Sequence, residues 1–337
     1  MKINIPLWVF GVLFLAAVAG GAWAAEEPII IKFSHVVERD TPKGKAAERF
    51  RELAEKSTGG RVRVEIYPNS ILYKDREELE ALQLGAVQML APSLAKFGPL
   101  GIKEFEVFDL PFLFSSIQGV HRVTQGPIGK DLLSKLEAKG LTGLAYWDNG
   151  FKLMSANRPL RQPADFKGLK MRIQSSKVLD AQMRALGANP QMMGFSEVYE
   201  ALQDGTVDGA ENSASNLYTQ KMHEVQKYLT VSDHGYLGYV VIVNQKFWSQ
   251  LPSDVRRKLE AAMREATKYA NAIAEQENVR ALAAVKDSGK TRIHILTAEE
   301  KAEWRQALLP VWKEMEERIG AELIEAVQWE AGKVAPK

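Results

Sequence analysis

The sequence predicts an α/β protein built from two similar lobes, and three observations carry that reading. An octapeptide occurs twice: Glu80–Val87 (EALQLGAV) returns as Glu200–Val207 (EALQDGTV), differing only at Leu84/Asp204 and Ala86/Thr206, and Ser93 then falls opposite Ser213. In both copies an apolar helix face ends at a glycine suited to a left-handed cap, and a short buried strand follows. The upstream segments also agree. Strand Ile29–Ser34 leads to a helix over Lys43–Ser57, and strand Leu169–Ile173 leads to a helix over Lys177–Gly187, so the chain contains two β-α-β-α-β units. Finally, 337 residues are too many for one ordinary core and suit two domains.

The N-terminus reads as a leader. Lys2 precedes an apolar run from Ile5 to Ala19, and Ala22-Trp23-Ala24 places small residues where a signal peptidase cuts, so residues 1–25 are expected to be removed after Ala24 or Ala25. The run is shorter than the ~20 residues of a membrane span, and the mature chain is expected in the periplasm. The absence of cysteine excludes disulfides and thiolate chemistry. With 44 basic against 42 acidic residues, of which Lys2 leaves with the leader, nothing favours nucleic acid as a partner.

Taken in order, Ile29–Ser34 is a parallel core strand. Thr41-Pro42 forms an N-cap followed by an N1 proline, and the next helix buries Ala46, Ala47, Phe50, Leu53 and Ala54 before Gly59-Gly60 ends it. Arg61–Tyr67 alternates as a strand, and Asp75–Leu84 is the helix entering the first repeat. Strand Val87–Ala91 exits at Pro92-Ser93. Because ligands gather at the carboxyl ends of strands in open α/β sheets, His35, Ser93 and Lys96 are expected to face one crevice. The aromatic stretch Phe105–Phe114 (FEVFDLPFLF) is expected to plug a core or hold one lobe against the other. Strand Leu141–Trp147 ends in the turn signal Asp148-Asn149-Gly150, and Tyr236–Asn244 returns to the first lobe. A helix from Ser253 to about Lys286 would measure ~45 Å, longer than one lobe, and so should lie across both. Thr297–Glu300 (TAEE) is a capping box opening the terminal helices. The expected division is 26–150 plus 238–270 for the first lobe and 151–237 plus 271–330 for the second.

Catalytic constellations are missing from the sequence. His35, His121, His223, His234 and His294 are scattered, and no phosphate loop, dinucleotide fingerprint or nucleophile elbow is present. Asp204, Asp208 and Glu211 lack calcium-loop spacing. No metal or cofactor is expected, and an exported hydrolase or lyase is the remote alternative. Arg172 stands out instead. It sits between apolar neighbours on a core strand, where an unpaired charge costs several kcal/mol. It therefore either meets an internal acid or takes a ligand carboxylate in a bidentate pair. Asn212, at the exit of the repeat strand, can donate to and accept from the same ligand.

At these residues the chain resembles the extracytoplasmic substrate-binding proteins of tripartite ATP-independent periplasmic (TRAP) transporters, in particular their C4-dicarboxylate-binding branch. FSHVVERDTPKGKAAERF, LQLGAVQM, DLPFLF, YWDNGFK, GLKMRIQSS, ALQDGTVDGAEN and HGYLGY carry the likeness. The resemblance implies a two-lobe flytrap fold with crossing strands and a long bridging helix, closing on an organic acid and docking on a membrane permease driven by an ion gradient. It places the carboxylate-binding arginine on Arg172, the strand-exit asparagine on Asn212 and a further cationic position on Lys152, where many relatives carry arginine. His35, Lys43, Glu77, Ser93 and Lys96 resemble its binding loops, and Trp147, Asn149 and Tyr236 its lobe junction. A linear diacid needs a second cation, expected to be Lys43 or Lys96. The implied ligand is succinate, fumarate or malate; a sugar acid, keto acid or aromatic acid is the alternative. A monomer is expected.

Overall fold

The computed structural model of the chain describes Met1 and residues 27–333; apart from Met1, the expected leader lies outside the described residues. Among the described residues no helix is long and apolar enough to cross a membrane. Eleven strands are described: β1 (Ile29–Ser34), β2 (Val62–Tyr67), β3 (Met89–Leu90), β4 (Leu141–Phe151), β5 (Leu153–Ala156), β6 (Lys170–Ile173), β7 (Asn189–Met192), β8 (Gly209–Asn212), β9 (Tyr228–Val231), β10 (Tyr236–Asn244) and β11 (Arg292–Ile295). They form two sheets, in the orders β2-β1-β3-β10-β4 and β11-β9-β5-β8-β6-β7. Each sheet has a parallel trio at one edge, β1 with β2 and β3 in one and β6 with β7 and β8 in the other. An antiparallel strand continues each sheet from the trio, β10 against β3 and β5 against β8.

The chain passes between sheets where β4 runs on into β5 and where β9 leads into β10. At the crossing the Lys152 N–H donates to the Gly235 carbonyl at 2.8 Å. The sequence reads Asp148-Asn149-Gly150 as a turn, but β4 continues through it to Phe151. The register of β4 against β10 slips between Leu237, opposite Gly150, and Gly238, opposite Asp148. Asn149 is thus the extra residue of a β-bulge, and Gly150 takes φ +133° there.

The repeat is also a structural one. Gly85 (φ +79°) and Gly205 (φ +78°) both end their helices in the left-handed region. Val87 N–H returns to Ala81 O at 3.5 Å, as Val207 N–H does to Ala201 O at 3.0 Å. Ser93 (φ −67°, ψ 153°) and Ser213 (φ −72°, ψ 158°) then open the next helical turns.

Helix Pro42–Thr58 starts as the sequence implies, with Thr41 Oγ1 accepting the Gly44 N–H at 3.1 Å. The 35-residue helix Ser253–Asp287 spans both lobes. Val255, Leu259, Met263, Ala266 and Ala270 join the core of the first sheet, whereas Ala281 and Val285 join that of the second. The aromatic stretch becomes a 3₁₀ turn over Lys103–Asp109 with Phe105 and Phe108 fully buried. They share one core with Leu179 and Met183 of the second lobe, so this stretch ties the lobes together. The capping box forms between Thr297 and Glu300. The terminal helix Ala321–Gly332, expected on the second lobe, instead packs on helix Ile117–Gln125, where Arg122 donates to the carbonyls of Glu330 (3.0 Å) and Ala331 (2.6 Å).

Candidate functional site

The carboxyl ends of β1, β3, β6 and β8 converge on a small cavity of about 40 Å³ between the two sheets. Such convergence is the geometry by which parallel strands deliver side chains to a ligand. The first lobe contributes Lys43, Asp75, Ser93, Lys96 and Tyr239, and the second Arg172, Gln174, Phe195, Asn212 and Asn216.

Arg172 is held on β6 between Met171 and Ile173 and is 3% exposed. Its Nε (3.2 Å) and Nη2 (2.9 Å) both donate to the Met193 carbonyl, and the Phe195 ring lies 5.9 Å from the guanidinium carbon. Among the described residues no carboxylate lies within ion-pair distance of it. Burial pulls its pKa down, while Asp75, Glu211 and Glu197 act from further away in the opposite sense. A guanidinium remains charged in either case, so this wall of the cavity is a fixed cation with unspent donors.

Lys43 stands opposite, in the first turn of helix Pro42–Thr58, and is 1% exposed. Its Nζ donates to the Ala91 carbonyl at 3.0 Å and lies 3.8 Å from the centroid of the Tyr239 ring. Both partners are neutral. Burial lowers its pKa to about 7, with Lys96 acting in the same sense and Glu78 and Asp75 against it. Lys96 differs because its ammonium is ion-paired with both Asp75 and Glu78. There burial opposes the charge, but the two carboxylates outweigh it and raise the pKa. The carboxylates themselves diverge. Burial works against charge on Asp75, yet Lys96 and the Phe195 N–H hold it at about 2, whereas burial dominates at Glu78 and raises it.

Polar contacts cross the cavity. Ser93 Oγ donates to Gln174 Oε1 at 2.5 Å, and Asn216 Nδ2 donates to the Tyr239 hydroxyl at 3.1 Å. Asp75, from the first lobe, accepts the backbone N–H of Phe195 from the second. Asn212 accepts the Ser213 N–H (2.9 Å) and Asn216 Nδ2 (3.0 Å) on its amide oxygen, which leaves its amide NH2 as the side-chain donor at the cavity wall.

Several expected site residues lie elsewhere. Lys152 is 1% exposed, and its ammonium is consumed by Glu211 (2.8 Å) and Asp109 (3.6 Å); Glu211 also meets His234 Nε2 at 3.0 Å. His35 is fully buried behind the cavity wall, which Val36 and Val37 form instead. Burial and the nearby Lys43 charge drive its pKa to about 3, so it is neutral. Glu77 is exposed and accepts the Lys74 N–H at 3.4 Å, as its repeat counterpart Glu197 accepts the Gly194 N–H at 3.2 Å. The inward-facing acids of that segment are Asp75 and Glu78. Trp147, Asn149 and Tyr236 sit on the crossing strands and not in the cavity wall. The Trp147 indole donates to Thr267 Oγ1 (2.9 Å), Asn149 Nδ2 to Ser213 Oγ, and the Tyr236 hydroxyl to Asp148 Oδ1 (2.5 Å). Sequence reasoning missed Asp75, Gln174, Phe195, Asn216 and Tyr239. The repeat held a signal for one pair, since the offset relating Glu77 to Glu197 also relates Asp75 to Phe195.

Two α/β lobes joined by crossing strands and a bridging helix, with unneutralised buried cations from each lobe facing one cavity, define the two-lobe class of solute-binding proteins. The chain belongs to the bacterial extracellular solute-binding protein family 7, whose model matches residues 33–318. It is 70% identical over 305 residues, 90% of this chain and 92% of the relative, to the C4-dicarboxylate-binding periplasmic protein DctP of Rhodobacter capsulatus. Its fold is similar to that of a TRAP periplasmic solute-binding protein from Shewanella oneidensis with bound succinate, with a TM-score of 0.88 and 43% identity over 90% of this chain and 99% of that one. A TRAP periplasmic solute-binding protein from Pseudomonas aeruginosa with bound L-malate aligns with a TM-score of 0.83 and 46% identity, over 85% of this chain and all of the other.

Proposed function

We propose that this protein is the periplasmic receptor of a TRAP transporter and captures a C4-dicarboxylate such as succinate, fumarate or malate. The observation that carries the reading is Arg172, a buried cation on the cavity wall whose described hydrogen-bond acceptor is a backbone carbonyl. A ligand carboxylate supplies the charge and the bidentate geometry that a carbonyl cannot. The names of the Rhodobacter relative and the ligands of the Shewanella and Pseudomonas structures support a diacid. Asn212 donates to the same carboxylate, and Ser93 and Gln174 close the cavity across its mouth.

In this reading the ligand favours the closed arrangement through contacts to both lobes that exist only there. The closed monomer then docks on a membrane permease, which an ion gradient drives, and the receptor carries out no chemistry on its cargo. The test is calorimetric titration of the mature protein with succinate, malate and fumarate, with galactonate and pyruvate as a sugar acid and a keto acid. Heat with the diacids alone is expected. Binding of a monocarboxylate panel member in their place would move the assignment to another acid, and turnover of any of them would replace it with an enzyme.

A further inference from the structure

Lys43 and Lys96 both reach the cavity from the first lobe, and their partners separate them. Lys96 lies between Asp75 and Glu78, so its charge is spent before any ligand arrives. Among the described residues Lys43 meets the Ala91 carbonyl and the face of Tyr239 but no ion-paired acid, and it is as buried as a core leucine. An ammonium in that position lacks a counter-ion that burial makes costly to omit. The cavity wall opposite it is Arg172, another cation without an acid. Lys43 and Arg172 thus reach one small cavity from different lobes, and a dianion with a carboxylate at each end can meet both.

We infer that Lys43 is the seat of the ligand's second carboxylate, and that capture of the dianion is accompanied by uptake of a proton onto the Lys43 amine. The inference rests on the receptor reading and goes further by coupling the site to pH. In the proton balance, a neutral Lys43 amine, one proton and a ligand dianion give an ammonium paired with a carboxylate. No bond other than N–H forms, and the proton comes from solvent.

Each neighbouring group that could titrate in place of Lys43 has an assigned state. His35, from the end of β1, is held neutral down to about 3 by burial and by the Lys43 charge, and Asp75 stays ionised down to about 2. Arg172 from β6 and the acid-flanked Lys96 remain cations, and burial keeps the Tyr239 phenol on β10 protonated. Glu78 is the one competitor, because burial raises its pKa. Lys43 itself changes state near pH 7. A bound carboxylate raises that value, so uptake is expected to be larger at pH 8 than at pH 6. By the same linkage apparent affinity falls as pH rises above the range in which Lys43 loses its proton.

The experiment is titration of the mature protein with succinate at pH 8 in phosphate and in Tris, and at pH 6 in phosphate and in Bis-Tris, pairs whose ionisation heats differ. Expected is a buffer-dependent heat at pH 8 that reports proton uptake, and a smaller uptake at pH 6. Lys43→Arg, a permanent cation, should bind succinate with no uptake, and Glu78→Gln should keep the uptake. Circular dichroism establishes that each variant is folded, and the wild-type buffer comparison stands if neither is. Succinate binding with the same heat in both buffers at pH 8 would overturn this inference and leave the receptor reading intact, as would uptake that vanishes in Glu78→Gln. No heat with any C4 diacid would overturn both.

Discussion

Ser93 Oγ and Gln174 Oε1 meet at 2.5 Å across the cavity, one from the turn after β3 and the other from the end of β6. A hydroxyl–amide contact between lobes exists only when they are together, so it belongs to the closed arrangement. A neutral hydrogen bond contributes about 1 kcal/mol net, or about fivefold in an equilibrium. Ser93→Ala is expected to weaken diacid affinity by about that factor, mainly through faster release, as stopped-flow measurements would register. An unchanged dissociation rate would show that the contact plays no part in holding the lobes.

Arg172 makes an unusual stability prediction. Burial without a counter-charge disfavours the folded protein, so Arg172→Met should leave the ligand-free melting temperature unchanged or higher. The same change should remove about 2–5 kcal/mol of diacid binding, as loss of one partner of a buried charge pair does. The upward shift of melting temperature with succinate should therefore vanish in the variant. Thermal denaturation with and without ligand checks both halves, and a variant that melts far below the wild type would contradict the first.

The Lys152–Glu211–His234 cluster gives the opposite result, since its charges are paired inside the second lobe. Lys152→Met strands Glu211 and should cost about 3–5 kcal/mol in urea unfolding. A loss of diacid affinity with unchanged stability would instead place Lys152 at the ligand.

Acid dependence follows from the same cluster. Lys152 and His234 overcome the burial penalty at Glu211 and hold it at about 2, below the ordinary carboxylate range. Its contribution to stability is complete above that range and is lost as pH falls towards 2. Asp109 runs the other way, because burial raises it to about 6 and its ionisation opposes folding. Lowering the pH from 6 towards 4 therefore stabilises through Asp109 before Glu211 reverses the trend. Asp109→Asn should flatten the limb between pH 6 and 4, as measured by urea midpoints.

Gly205 tests the repeat. Its φ of +78° excludes an ordinary side chain on conformational grounds, while a Cβ there would touch nothing within 4 Å. Gly205→Ala should therefore cost about 1–2 kcal/mol of backbone energy, with no packing contribution. Gly205→Asn, which tolerates that region better, should cost less. Equal costs for both would rule out the left-handed origin.

Much of the architecture was legible because its signals are local. The glycine caps, the capping box at Thr297 and the alternation in β2 each depend on a few adjacent residues, and the doubled octapeptide exposed the symmetry of the lobes. Arg172 was legible as well, since a cation flanked by Met171 and Ile173 needs an explanation wherever the strand goes. What stayed hidden depended on distant partners. Nothing near Lys152 reveals that Glu211 and Asp109 will enclose it, and nothing near Lys96 separates it from Lys43. Glu77 is the acid that the resemblance points to, and a short helix does not announce which of three neighbouring acids turns inward. Asp148-Asn149-Gly150 looks like a turn, and only its pairing with β10 makes it a bulge.

Besides the bridging helix, the two strand passages between the lobes are tied by the bond from the Lys152 N–H to the Gly235 carbonyl, which makes them a single two-stranded ribbon. A ribbon of this kind resists sideways sliding of its chains but twists and bends readily about its own line. The lobes are therefore restricted to a narrow family of rotations, and each closure brings the outer surfaces to nearly the same relative setting. Under the proposed function, a membrane partner could then tell loaded from unloaded molecules by shape alone, without touching the cargo.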